Sequence, residues 1–145
     1  KNSKVSKLTS LEIIGQDAFN DLNVECDEFV FRIPDGVKIL DYRAFAINAR
    51  NVEIVVPSSV RAIGALAFMI HSDSTHIIFE GDAELEVGAF GTEAEAKDSD
   101  YEVYKSMPSA VYPKAERLTV TCPKDSKIYR YCKKYGINVS DKTTN

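Results

Sequence analysis

Apolar and polar residues alternate in four short runs: Phe29, Phe31 and Ile33; Val52, Ile54 and Val56; Ile77 and Phe79; and Leu118, Val120 and Cys122. A period of two, rich in β-branched and aromatic residues, predicts strands with one face buried. Pro34, Pro57 and Pro123 follow three of the runs, and Glu80 holds the same place after the other. Proline has no backbone N–H, so it closes a strand by withdrawing a ladder donor. Near the end of the chain the period changes. Ile128, Tyr131, Cys132 and Tyr135 fall at i, i+3, i+4 and i+7, one face of a helix. Asp125 or Ser126 can cap its start and Gly136 its end, and Lys133 and Lys134 suit the negative end of its dipole. Ile137 to Val139 then resumes a strand.

Between these runs the chain repeats itself. Ala-Phe occurs at Ala18-Phe19, Ala44-Phe45, Ala67-Phe68 and Ala89-Phe90, with the phenylalanines 26, 23 and 22 residues apart. Ahead of them, at one constant offset, stand Ile14-Gly15, Leu40-Asp41, Ile63-Gly64 and Leu85-Glu86. Pro34, Val37, Leu40 and Phe45 match Pro57, Val60, Ile63 and Phe68, and Leu8, Leu11, Ile14 and Phe19 hold the same offsets. Each unit is therefore predicted as a strand, a turn and a short segment ending in Ala-Phe that returns toward the next strand. A period near 23 lies within the range of leucine-rich repeats. One such unit cannot bury both of its apolar rows; stacked units can, with each phenylalanine beside its copy in the next.

The segments Ile33-Pro34-Asp-Gly-Val37-x-x-Leu40-x-x-x-Ala44-Phe45 and Val56-Pro57-Ser-Ser-Val60-x-x-Ile63-Gly64-x-x-Ala67-Phe68 resemble the BspA-type leucine-rich repeat, a family of mostly bacterial surface proteins. The resemblance covers roughly residues 8–90 and 117–139. The copy at Glu80 departs from it twice, lacking the proline and placing Glu86 where glycine is expected. The resemblance implies an α/β repeat solenoid: a short right-handed leucine-rich coil with parallel strands and a C-terminal helical cap. On this reading residues 1–139 form one domain, with coils near 5–26, 29–51, 52–74, 75–90 and 117–139, an insertion at 91–116 and a frayed tail at 140–145. It also implies a surface or extracellular location and adhesion by binding a host matrix or plasma protein such as fibronectin or fibrinogen. The family motif defines no ligand residues.

The insertion carries Glu93, Glu95, Asp98, Asp100 and Glu102 with Tyr101, Tyr104 and Tyr112. It reads either as an ordered excursion packed by its own tyrosines or as a mobile loop. Insertions in repeat arrays map to one face, often the binding face. Asp98-Ser-Asp100-Tyr-Glu102 has the alternate acidic spacing that opens a calcium loop but lacks the loop glycine and the terminal glutamate, so solvated charge is the simpler expectation. Cys26, Cys122 and Cys132 form neither a disulfide framework nor a zinc pattern; they read as buried thiols, with one Cys122–Cys132 bridge as the alternative.

Composition narrows the function. The net charge is -4, with 44% apolar and 28% charged residues, which argues against general nucleic-acid binding. The longest apolar run, Ala62 to Ile70, is nine residues, against about 20 for a membrane span. No nucleophile motif or phosphate loop appears, and His71 and His76 read as surface residues, so neither an enzyme nor a cofactor is expected. The outward strand positions carry the functional expectation. One row holds Val30, Glu53, His76 and Thr119; the next holds Arg32, Val55, Ile78 and Thr121. Val30, Val55 and Ile78 are apolar where solvent is expected, which marks either a partner-binding strip or a face covered by another segment such as the insertion. The expectation is a non-catalytic module binding a protein through this face or the insertion. The alternative is a structural spacer or terminal piece that docks on another domain or on itself.

Overall fold

The structure is a computed structural model, and it describes residues 12–19 and 27–142. Leu8, Leu11, Cys26 and the last three residues of the expected tail lie outside that range. The strands fall in two parallel sheets. The larger contains β2 (Glu28–Arg32), β4 (Asn51–Val56), β6 (Ser74–Phe79), β8 (Leu118–Pro123) and β9 (Asn138–Lys142), in that spatial order. The smaller contains the two-residue strands β1 (Ile13–Ile14), β3 (Ile39–Leu40), β5 (Ala62–Ile63) and β7 (Glu84–Leu85). All pairings are parallel.

The larger sheet follows the alternating runs. Phe31, Ile54, Ile77, Val120 and Val139 are register partners from strand to strand, and they line the inner face. Strand β9 continues through Ser140 and Asp141 to Lys142, pairing with Thr121, Cys122 and Pro123, so the strand runs past the Val139 expected as its end. The smaller sheet is not visible in the residue pattern. Its strands form because each unit repeats the backbone of the last: Asp41 N–H donates to Ile14 O (2.9 Å), Gly64 N–H to Leu40 O (2.8 Å) and Glu86 N–H to Ile63 O (2.9 Å).

The turn that follows also repeats. Asp17, Arg43, Leu66 and Gly88 share one place in the unit, and all four are left-handed, with φ of 59°, 57°, 60° and 97°. For a residue with a Cβ this conformation costs about 1–2 kcal/mol. The ladder offsets it by satisfying buried backbone groups: Arg43 N–H reaches Ala65 O (3.2 Å) and Leu66 N–H reaches Gly88 O (2.8 Å). The turn delivers each Ala-Phe into the core. Phe19 and Phe45 stack at 4.9 Å, Phe45 and Phe68 at 5.8 Å, and Phe68 and Phe90 at 5.8 Å, with interplanar angles below 20°. Between the two sheets the phenylalanines therefore form a continuous column.

At the far end the column meets α3 (Lys127–Lys134). Ser126 caps this helix, its Oγ accepting from Tyr129 N–H at 3.0 Å, and Gly136 leaves it with φ +71°. Ile128, Cys132 and Tyr135 are buried as the helical spacing predicts. Tyr131 places its ring 6.0 Å from Phe90, tilted by 57°, at the end of the column. Cys122 and Cys132 are free, buried thiols, and burial raises both above the ordinary thiol range.

Residues 91–116 are packed. They contain α1 (Glu93–Ala96), α2 (Glu102–Lys105) and a 3-10 turn at Ser109–Val111; a second 3-10 turn, Ala115–Arg117, leads into β8. Tyr104 and Tyr112 are buried with Ala96 against Leu66 and Met69, forming a small second core. The tyrosine-packed excursion is what forms.

Candidate functional site

The eight outward residues come together as the alternation requires. Val30 pairs with Glu53, Glu53 with His76, and His76 with Thr119; Arg32 pairs with Val55, Val55 with Ile78, and Ile78 with Thr121. Two straight rows cross four strands, and β9 extends them with Asn138 and Ser140. Neighbouring strands lie about 4.8 Å apart, so successive residues of each row stand at that spacing.

The rows differ in chemistry along their length. Val30 is 67% exposed, and Val55 and Ile78 are half-buried side by side. Arg32 donates to both Glu80 oxygens, at 3.0 and 2.9 Å, and to Asp35 at 3.2 Å. This pairing holds the guanidinium above its ordinary value. Glu80, the residue that replaces the repeat proline, thus bridges the end of β6 back to β2. At the other end, His76 Nε2 shares a 2.7 Å hydrogen bond with Thr121 Oγ1, which lies 3.2 Å from Ser140 Oγ. Glu53 faces His76 in register, but no hydrogen bond joins them. Among the described residues no group of three or more His, Cys, Asp and Glu side chains is placed to hold a metal ion.

The insertion does not supply the cover for this face that the exposed valines allowed. It packs over the turns instead, against Leu66 and Met69 with Tyr42 and Ala46 at the edge. Glu86, the second departure from the repeat, helps hold it there. Its carboxylate accepts from Ala65 N–H and from Tyr101 O–H, both at 3.1 Å. A glycine at this place would leave the Tyr101 hydroxyl without that acceptor.

The acidic stretch is not simply solvated. Glu95 is fully buried. One oxygen accepts from Thr92 N–H (2.9 Å) and Thr92 Oγ–H (2.7 Å); the other accepts from Phe90 N–H (3.1 Å) and from the Tyr131 hydroxyl. Burial outweighs these hydrogen bonds and raises the Glu95 carboxyl above its ordinary range. The Tyr131 hydroxyl oxygen also accepts from Gly88 N–H at 2.9 Å, so the Gly88 turn is joined through Tyr131 of α3 to the Glu95 carboxyl of α1. Beside it, Asp98 accepts from the Tyr135 hydroxyl at 2.9 Å, and burial with the nearby carboxylate pushes Tyr135 up to about 12. The role of Asp98 is thus to anchor α3. A sequence signal for Glu95 existed in Thr92-x-x-Glu95, a capping-box spacing at the start of α1. No comparable signal marked Tyr131.

No protein-family model, curated protein or solved structure matches the chain. No helix among the described residues is long and apolar enough to cross a membrane.

Proposed function

We propose that the chain is a short right-handed leucine-rich-repeat solenoid of the BspA type, capped by α3, and that it serves as a non-catalytic protein-binding module of a bacterial surface protein. The partner is an extracellular protein that lays an apolar segment across Val30, Val55 and Ile78 and meets the polar ends of the rows. The observation that carries this reading is the assembly of those eight residues into two adjacent outward rows on a parallel sheet, with Val30 exposed and Val55 beside Ile78. A sheet already ordered before binding loses little conformational entropy on association. Scattered exposed apolar residues need no explanation, whereas contiguous ones in adjacent strands mark contact surfaces.

The test is surface plasmon resonance against immobilised fibronectin and fibrinogen, comparing the native chain with Val55→Glu/Ile78→Glu. Both substitutions lie on the outer face, so thermal unfolding should stay close to native while binding is lost. Equal binding by the double variant would overturn the assignment to this face, and no binding of either protein by the native chain would remove the adhesion reading. Self-association abolished by the same substitutions, seen by light scattering without any ligand, would favour the structural-spacer alternative.

A further inference from the structure

The geometry points to an anion-binding cleft beneath the 109–117 segment, one that takes a tetrahedral oxyanion of the phosphate type. This inference is independent of the outward sheet face. The cleft has a volume of about 100 Å³ and lies between the start of the 71–73 segment and the end of the insertion. His71, Ser72, Lys114 and Arg117 supply its polar lining, and Tyr112 and Pro113 form its apolar wall.

Both walls are fixed. His71 Nε2–H donates to Val111 O at 2.6 Å, and the His71 backbone is held by Ala49 N–H on its carbonyl at 3.1 Å. Arg117 donates to Ser72 O at 3.3 Å. Tyr112 is buried, and its hydroxyl donates to Tyr104 O at 2.7 Å. The backbone walls are therefore held before a ligand arrives, and the exposed Lys114 and Arg117 side chains close over it.

The charge is one-sided. No carboxylate lines this cleft. Arg32, Arg43 and Arg50 each meet an acidic side chain, in a protein whose net charge is -4. Arg117 meets only the Ser72 carbonyl, and Lys114 forms no ion pair among the described residues. A guanidinium has five N–H donors in a fixed fork, so donors remain after the carbonyl is satisfied. The volume holds several waters, enough for a compact oxyanion. The adjoining wider cleft of about 300 Å³ shares Tyr112, Pro113 and Lys114 with this one but adds Glu93 and Glu116, so the anion preference belongs to the side that Arg117 and His71 line.

The test is an NMR titration of the isotope-labelled full chain with inorganic phosphate, at constant pH and with ionic strength balanced by chloride. Saturable shifts are expected at Ser72, Lys114 and Arg117 and on the His71 ring. Lys114→Gln and Arg117→Gln should each weaken phosphate binding about fivefold, the size of one exposed ion pair. Lys114 forms no ion pair among the described residues, so that variant should melt as the native chain does and still read the site if Arg117→Gln folds poorly. A parallel titration with phenyl phosphate separates the sources: tighter binding than inorganic phosphate assigns a phosphate ester whose apolar part rests on Tyr112 and Pro113, and equal binding assigns the free anion. Shifts reproduced by chloride alone, or unchanged affinity in Lys114→Gln, would overturn the proposal.

Discussion

Phe68→Ala tests the aromatic column at its centre. Phe68 is 2% exposed, with Phe45 and Phe90 stacked on either side at 5.8 Å and Phe79 edge-on at 6.1 Å. Truncating a buried phenylalanine costs about 3–5 kcal/mol through lost transfer free energy and the cavity left behind. Each aromatic pair adds about 0.5–1.5 kcal/mol beyond burial. The neighbours above and below are themselves held through their backbones, Phe45 N–H by Ala67 O at 2.7 Å and Phe90 N–H by the Glu95 carboxylate at 3.1 Å, so collapse into the cavity is restricted. The cost should therefore fall in the upper half of that range, about 4–5 kcal/mol. For a chain of this length that corresponds to a drop in Tm of roughly 10–15 °C. Equilibrium urea unfolding followed by circular dichroism measures it directly. Phe68→Leu keeps most of the volume and should cost only about 1–1.5 kcal/mol. Because neighbouring units contact one another through this ring, the alanine variant should also unfold less cooperatively, with a smaller m-value. A loss below about 1 kcal/mol for Phe68→Ala would mean that the stacked rings contribute little, contrary to the burial argument.

Three further expectations follow from particular contacts. Gly88→Ala places a Cβ 2.7 Å from Tyr104 Cε2 at a φ of 97°; left-handed strain and overpacking together should cost about 2–5 kcal/mol in urea unfolding. Glu95 is raised above its ordinary range by burial, so in the window between its unfolded and folded values the folded chain holds a proton that the unfolded chain has released. Stability should therefore fall as pH rises through that window, and urea midpoints measured across it should flatten in Glu95→Gln. Arg32→Ala breaks an exposed pair with Glu80 and should change stability by less than about 1 kcal/mol, less still at high salt, as differential scanning calorimetry can show.

The outward rows were legible from residue order alone. A strand places successive side chains on opposite faces, so once Phe31, Ile54 and Ile77 face inward, Arg32, Val55 and Ile78 must face outward. The Ala-Phe spacing carried the column for the same reason: identical backbone paths put identical side chains in line. The α3 helix was equally readable, since its apolar positions span two turns and its caps stand in sequence.

What the residue pattern left open depends on partners far apart in the chain. Strands of two residues have no periodicity to detect; β1, β3, β5 and β7 form only because ladder bonds repeat between units. Glu80 and Glu86 look like lapses in the motif, yet one meets Arg32 and the other Tyr101, contacts invisible until the chain is folded. Glu95 carries a capping-box spacing with Thr92, but that spacing says nothing of the Phe90 N–H and the Tyr131 hydroxyl that reach the same carboxyl. Tyr131 joins the column from a helix with no Ala-Phe of its own. Local order along the chain thus decided which way each strand faces, since that depends only on backbone geometry. The tertiary structure decided which buried polar groups are satisfied and where the insertion packs, since those depend on which distant segment arrives.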